Sequence, residues 1–320
     1  MGLIKKFLKL FFILFVNVFL IVLSIEFVCY FHEILVASKE CKDCNLQKIK
    51  ICGYHRYFWL EHSSFNQTYT LLKTRLRKPI GMEYNSRPIL LMGCSFAYGY
   101  HLPQKDNLQY QLSKILKRPV YNRAYELWWG LQTMLYQSQR DDFYQEVPNP
   151  EFVIYVLIRD HIVRINSACI NTFHRYPHLH YKLKDNSLEV DNFSFLYNLF
   201  MFKKYTILHS MLVSEQESFD LMKHFFIQTK KEYDKHWKNY KFIILVYEEN
   251  QGVREYFERV DWKTLEKKGF IIVTTSQLIG RVLDLHEDVL QEDNYHPSSS
   301  AWKIIAPPLA TKIKSLHKHN

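Results

Sequence analysis

A chain of 320 residues, 48% apolar and 16% aromatic but with only 9 glycines, can bury a full core, which excludes disordered and fibrous classes. Its formal charge of +10 favours anionic neighbours such as phospholipid headgroups or acidic glycans. The basic residues are spread along the whole length, with no dense Lys/Arg block and no nucleic-acid motif, so nucleic acid is not an expected partner.

Lys5, Lys6 and Lys9 precede an apolar run from Leu10 to Tyr30, interrupted only by Asn17, Ser24 and Glu26. About 20 residues at 1.5 Å each cross a hydrocarbon core. Residues 1–31 are therefore expected to form a cytoplasmic tip and one transmembrane signal anchor, with the lipid bilayer as partner. The leading lysines hold the N-terminus in the cytoplasm, so everything after about residue 31 is expected outside it, in the periplasm or at the cell surface. A cleaved signal peptide is the competing reading. Against it, Leu35-Val36-Ala37 puts a leucine where the cleavage site wants a small residue.

Residues 32–85 read as a juxtamembrane, cysteine-containing segment. Cys41, Cys44, Cys52 and His55 are spaced C-x2-C-x7-C-x2-H. Three states stay open for them: a disulfide, which an extracytoplasmic setting favours, unpaired thiols, or a tetrahedral zinc site.

From residue 86 to 320 the pattern becomes that of one domain. Ile89–Met92, Phe152–Ile158, Phe242–Tyr247 and Phe270–Val273 are short continuous apolar runs, and Val120-Tyr121 belongs to a shorter fifth. Such runs suit strands buried on both faces. Between them Asp106 is expected to cap a helix carrying Leu108, Leu112, Ile115 and Leu116. Ser214 and Glu217 make a capping box ahead of Met222, Phe225, Phe226, Thr229 and Tyr233. Alternating strand and helix predicts an α/β domain with a central parallel sheet. One hairpin, His180–Leu183 and Leu188–Val190, interrupts the rhythm inside an aromatic insertion near 172–205. It is read either as a lid or substrate wall or as surface decoration. Pro307-Pro308 is expected to kink or break the last helix soon after Trp302.

Two stretches carry chemistry. Gly93-Cys94-Ser95-Phe96-Ala97-Tyr98-Gly99 follows the first buried strand. In an open α/β sheet, ligand crevices lie beyond the carboxyl ends of the strands. A serine there projects into the crevice, flanking glycines allow a sharp turn, and the Ser95 amide can donate to an oxyanion. Asp293-Asn294-Tyr295-His296-Pro297 lies near the other end of the chain. Serine catalysis needs a neutral imidazole to take the hydroxyl proton and a carboxylate to orient it, which His296 and Asp293 supply on one turn. Ser298, Ser299 and Ser300 can cap the helix that follows.

Gly93-Cys94-Ser95-Phe96 resembles block I, usually written G-D-S, of the SGNH/GDSL hydrolase superfamily. Asp293-x-x-His296-Pro297 resembles its block V. The resemblance covers residues 86–316 and is closest to single-span bacterial members acting on envelope carbohydrates. It implies a flavodoxin-like three-layer α/β/α sandwich, preceded here by the transmembrane helix. It also implies hydrolysis or transfer of acyl esters by Ser95, His296 and Asp293, with no metal or organic cofactor. Cys94 stands where an aspartate is usual. Block II falls on Tyr121–Gly130, where Asn122 and Gly130 match in kind at a stretched spacing. The asparagine of block III is missing: Arg159-Asp160-His161 follow Val156-Leu157-Ile158. An ionised Asp160 accepts hydrogen bonds and cannot donate one to an oxyanion. Arg159 or His161 can replace that donor electrostatically, or Asp160 pairs with Arg164 one turn on. The expected activity is an extracytoplasmic esterase removing an acyl group, most simply O-acetyl, from a glycan or other envelope ester. The alternatives are an acyltransferase using the same three residues and a non-catalytic glycan-binding or scaffold protein.

Overall fold

The computed structural model describes residues 77–124, 130–166, 181–185, 187–190, 214–284, 287–289 and 295–317, and near the N-terminus 11, 12, 14–17, 20, 24, 47–51 and 54–58. The chain forms two compact units. One takes in Met1–Ser64, Ser167–His180 and Val190–Ser214, the other Phe65–Asn166, Tyr181–Glu189 and Glu215–Asn320.

In the first unit the described residues between 11 and 24 are helical, and the Ser24 hydroxyl donates to the Leu20 carbonyl at 2.8 Å. Strands β1 (Gln47–Ile51) and β2 (Tyr54–Phe58) pair antiparallel. Among the described residues no helix is long and apolar enough to cross a membrane. Most of the expected span, Leu10 to Tyr30, lies outside them, as do Cys41, Cys44 and Cys52; of His55 only its place in β2 is described.

The second unit has strands β3 (Ile89–Met92), β4 (Val120–Asn122), β5 (Phe152–Leu157), β6 (Tyr181–Lys184), β7 (Ser187–Val190), β8 (Lys241–Val246) and β9 (Phe270–Thr274). Five of them form a wholly parallel sheet in the order β4-β3-β5-β8-β9, while β6 and β7 pair with each other. The residues on either side of that pair, 167–180 and 191–213, lie outside the described ones. With the first sheet strand second from the edge, this is the doubly wound order whose chain direction reverses beside β3. A crevice opens at such a reversal, and Ser95 follows β3 directly.

The helices are α1 (Ser95–Tyr98), α2 (Leu108–Leu116), α3 (Gly130–Ser138), α4 (Asp141–Glu146), α5 (Arg159–Asn166), α6 (Glu215–His236), α7 (Gln251–Glu258), α8 (Lys263–Glu266), α9 (Thr275–Ile279) and α10 (Ser299–His317). Successive side chains of a strand point to opposite faces, and each face here is apolar. Leu90, Met92, Val153, Tyr155, Ile244 and Val246 pack against residues of α3 to α7. Ile89, Leu91, Ile154, Val156, Ile243 and Leu245 pack against residues of α1, α2 and α10. Continuous hydrophobic runs are thus explained by helices on both faces, and the result is a three-layer sandwich.

Two local expectations need correction. The cap of α2 is Asn107, whose Oδ1 accepts from the Tyr110 amide at 2.9 Å; Asp106 instead ends a short 3-10 turn. Both residue types cap helices, and the turn decides which of two neighbours is used. Asn107 is fully buried, so Asn107→Ala is expected to cost about 1 kcal/mol, read as an earlier unfolding midpoint in urea. The second correction concerns the break expected in α10: the helix runs through Pro307 and Pro308 without ending. The prolines stand on its outer side, as do Lys303 and Ile304, whose carbonyls lose their partners. Those carbonyls can turn to water. The opposite stripe of Ala301, Trp302, Ile305, Ala306, Leu309, Ala310 and Ile313 is buried and holds the helix to the sheet.

Candidate active site

β3 ends at Met92, and Gly93 makes the turn into α1 with φ +141°. A Cβ at Gly93 would stand 2.9 Å from the Ala97 Cβ and 3.0 Å from the Val156 carbonyl oxygen, so a side chain is excluded by space as well as by backbone conformation. Cys94 is buried among the α1/α2/α10 residues, and Ser95 begins α1. That helix is one turn long and closes at Gly99, φ +77°. The Gly99 and Tyr100 amides donate to the Ser95 carbonyl at 3.0 and 2.9 Å. Arg77 donates to the carbonyls of Gly99 and Leu102 at 2.6 and 3.1 Å. From the end of β4, Asn122 donates through Nδ2 to the Ala97 carbonyl at 2.8 Å and accepts from the Ala124 amide at 3.0 Å. The turn that carries Ser95 is therefore tied to its neighbours in the sandwich.

His296 reaches it from 201 residues away: its Nε2 lies 2.8 Å from the Ser95 Oγ. Only 6% of Ser95 and 7% of His296 is exposed. If Nε2 accepts the serine proton, the other ring nitrogen, Nδ1, carries the imidazole's own. The ring packs on Phe96 and Tyr100, with centroids at 5.3 and 5.1 Å, and meets His101 edge-on at 6.0 Å. His101 is itself held in the left-handed region, φ +59°, which non-glycine residues seldom adopt.

The backbone on the far side of His296 is pinned. Val289 and Pro297 form an antiparallel bridge, and the Ser298 amide donates to the Asp288 carbonyl at 2.9 Å. The buried Asp288 carboxylate accepts from Arg281 and from the Asp284 amide, each at 2.8 Å. Ser298 then caps α10, accepting from the Ala301 amide at 3.2 Å. Asp293 lies outside the described residues, as do Leu127 to Trp129 of the block II stretch.

The remaining candidates sit as follows. Gly130 opens α3 so close to His161 that a Cβ would come within 2.5 Å of the imidazole. His161 is buried and shares a 3.0 Å hydrogen bond between Nδ1 and the Tyr155 hydroxyl. Arg159 is exposed, with its guanidinium over the Tyr256 ring at 5.2 Å. Burial pushes the Tyr256 phenol up and Glu215 adds to this, while Arg159 and Arg259 oppose it. Asp160 accepts from the Tyr295 hydroxyl at 2.7 Å, and the Arg164 side chain is outside the description. The structure thus brings Ser95 and His296 into contact, links Asp160 to the residue before His296, sets Asn122 behind α1, and joins Gly130 to His161. Sequence reasoning missed Tyr295, Tyr100, His101, Asp288 and Arg77. Only the adjacency of Tyr295 to His296 marked any of them.

No protein-family model and no curated protein matches the chain. Solved structures resemble it at low identity. A lipolytic protein of the G-D-S-L family from Desulfitobacterium hafniense DCB-2 shares 12% identity over 71% of this chain and 99% of its own, with a TM-score of 0.40. An acetyl xylan esterase from the rumen bacterium Butyrivibrio proteoclasticus shares 10% over 73% and 65%, at 0.45. The salicylyl-acyltransferase SsfX3 of a tetracycline biosynthetic pathway shares 8% over 73% and 55%, at 0.41.

Proposed function

We propose that this chain is a serine esterase that removes an acyl group, O-acetyl in the first instance, from a glycan or other envelope ester outside the cytoplasm. The observation that carries the reading is the 2.8 Å contact between the Ser95 hydroxyl and the His296 imidazole at the carboxyl end of a parallel sheet. An alcohol becomes a competent nucleophile at neutral pH when a positioned base takes its proton as it attacks. Here Ser95 Oγ attacks the acyl carbonyl while His296 Nε2 takes the proton. The oxyanion collapses, and the sugar oxygen leaves with the proton from His296. Water, deprotonated by the same imidazole, then attacks the acyl-serine and releases the acid. Asp293 orients His296, and the Ser95 amide, in the first turn of α1 where helix amides lack internal acceptors, donates to the oxyanion. These groups need no cofactor.

Membrane anchoring by residues 10–30 belongs to the same proposal. Phe11, Phe12, Leu14, Phe15 and Leu20 are exposed at helical positions, and the Ser24 hydroxyl bonds within its own helix at Leu20. Both features support a helix that meets lipid.

Transfer to a sugar hydroxyl is the second reading, and the burial of both Ser95 and His296 favours it, since limited water access lets an acyl-serine await an acceptor. The test incubates the purified full-length chain with a fluorophosphonate probe and then with 4-nitrophenyl acetate, with and without unacetylated glycans. Label on Ser95 with release of acetate supports the esterase, and acetylated glycan supports transfer. A folded chain that takes no label at Ser95 is a binding or scaffold protein.

A further inference from the structure

We infer that Asp160 is a positioning residue that fixes His296 through the hydroxyl of Tyr295, an inference that rests on reading Ser95 and His296 as nucleophile and base. The Tyr295 hydroxyl donates to Asp160 Oδ2 at 2.7 Å across 135 residues of chain. Asp160 is the second residue of α5, just past the carboxyl end of the central strand β5. β5 lies beside β3 in parallel register, Met92 opposite Tyr155, so Asp160 and Ser95 emerge from neighbouring strand ends.

Tyr295 is held twice. Its ring stands edge-on to Phe96, the residue after the nucleophile, at 5.1 Å, and its hydroxyl is held by Asp160. The next backbone link is His296, whose other side is fixed by the Val289–Pro297 bridge and the Ser298–Asp288 hydrogen bond. Asp160 thereby supplies the fastening on the N-terminal side of the imidazole. A carboxylate makes that hydrogen bond charge-assisted, and an amide oxygen in its place would still accept it. The chemistry at residue 160 is therefore acceptance from Tyr295, which explains why a carboxylate there is compatible with the site. Without the fastening, the Tyr295–His296 segment can shift relative to Ser95, and a displacement of about 1 Å can cost about a hundredfold in rate.

The test uses the full-length chain and two readouts: the rate of fluorophosphonate labelling at Ser95, and kcat and KM for 4-nitrophenyl acetate. Tyr295→Phe and Asp160→Ala are each expected to lower kcat and labelling about ten- to a hundredfold, with KM within about threefold of wild type. The double variant should be no slower than the slower single one, because both remove one hydrogen bond. Asp160→Asn should return both rates to within about threefold of wild type. Should Asp160→Ala fail to fold, Tyr295→Phe, which removes a single oxygen atom, makes the comparison alone. The inference is overturned if Tyr295→Phe is as fast as wild type, if the losses multiply in the double variant, or if Asp160→Asn is as slow as Asp160→Ala. A wild type that neither labels nor turns over overturns the nucleophile–base reading as well, whereas a wild type that labels no faster than Tyr295→Phe overturns only the positioning role.

Discussion

Ser95→Ala will lower ester turnover by at least about ten-thousand-fold and abolish phosphonate labelling, with the melting temperature little changed. The hydroxyl is the only group lost, and its contact in the structure is the His296 Nε2. Alanine fits the same backbone, since Ser95 is an ordinary residue of a helical turn flanked by the glycines that do the bending. His296→Ala should be nearly as severe, and the double variant little worse than either, because on the proposed reading the two residues act as one unit. Turnover of a fluorogenic acetyl ester, with intact-mass analysis of the probe adduct, measures all three. An active Ser95→Ala protein would end the esterase and transferase readings together.

Gly93→Ala should both destabilise the sandwich and disturb the turn that carries Ser95. The Gly93 backbone, at φ +141°, strains any residue with a Cβ, and that atom would press on the Ala97 Cβ and the Val156 carbonyl. Backbone strain and overpacking each cost about 1–3 kcal/mol, so a loss of about 2–6 kcal/mol is expected. Thermal melting should fall by roughly 5–15 °C. Relief by rotation of the turn would carry Ser95 away from His296, so the surviving folded protein should also hydrolyse esters poorly. A variant that melts and reacts like wild type would show that the turn has room that the distances deny.

Strands β3, β5 and β8 were legible because each is built on an unbroken apolar run, and such runs suit strands covered by helices on both faces. The pairing of Ser95 with His296 was legible because the proposed chemistry restricts their residue types and their surroundings are short-range: a glycine turn after a strand, and a histidine before a run of capping serines. What failed was information that local rules do not hold. Asp106 and Asn107 cap helices about equally well, and the way the turn is wound chose the second. Pro307 and Pro308 read as a kink or break, and the break did not follow because they fall on the wet side of a helix whose inner side is gripped by the sheet. The Tyr295–Asp160 hydrogen bond joins residues 135 apart, and nothing near Asp160 announces a tyrosine partner.

The 201-residue interval between the serine and its imidazole has a consequence for the life of the polypeptide. A ribosome making this chain produces the hydroxyl 201 residues before the ring, and the helix α10 that Ser298 caps follows the ring. Until that ring has been made, the Ser95 hydroxyl lacks its contact with His296. On the proposed reading, phosphonate labelling of Ser95 should therefore appear in a time course of synthesis only after His296 has been made and seated beside it.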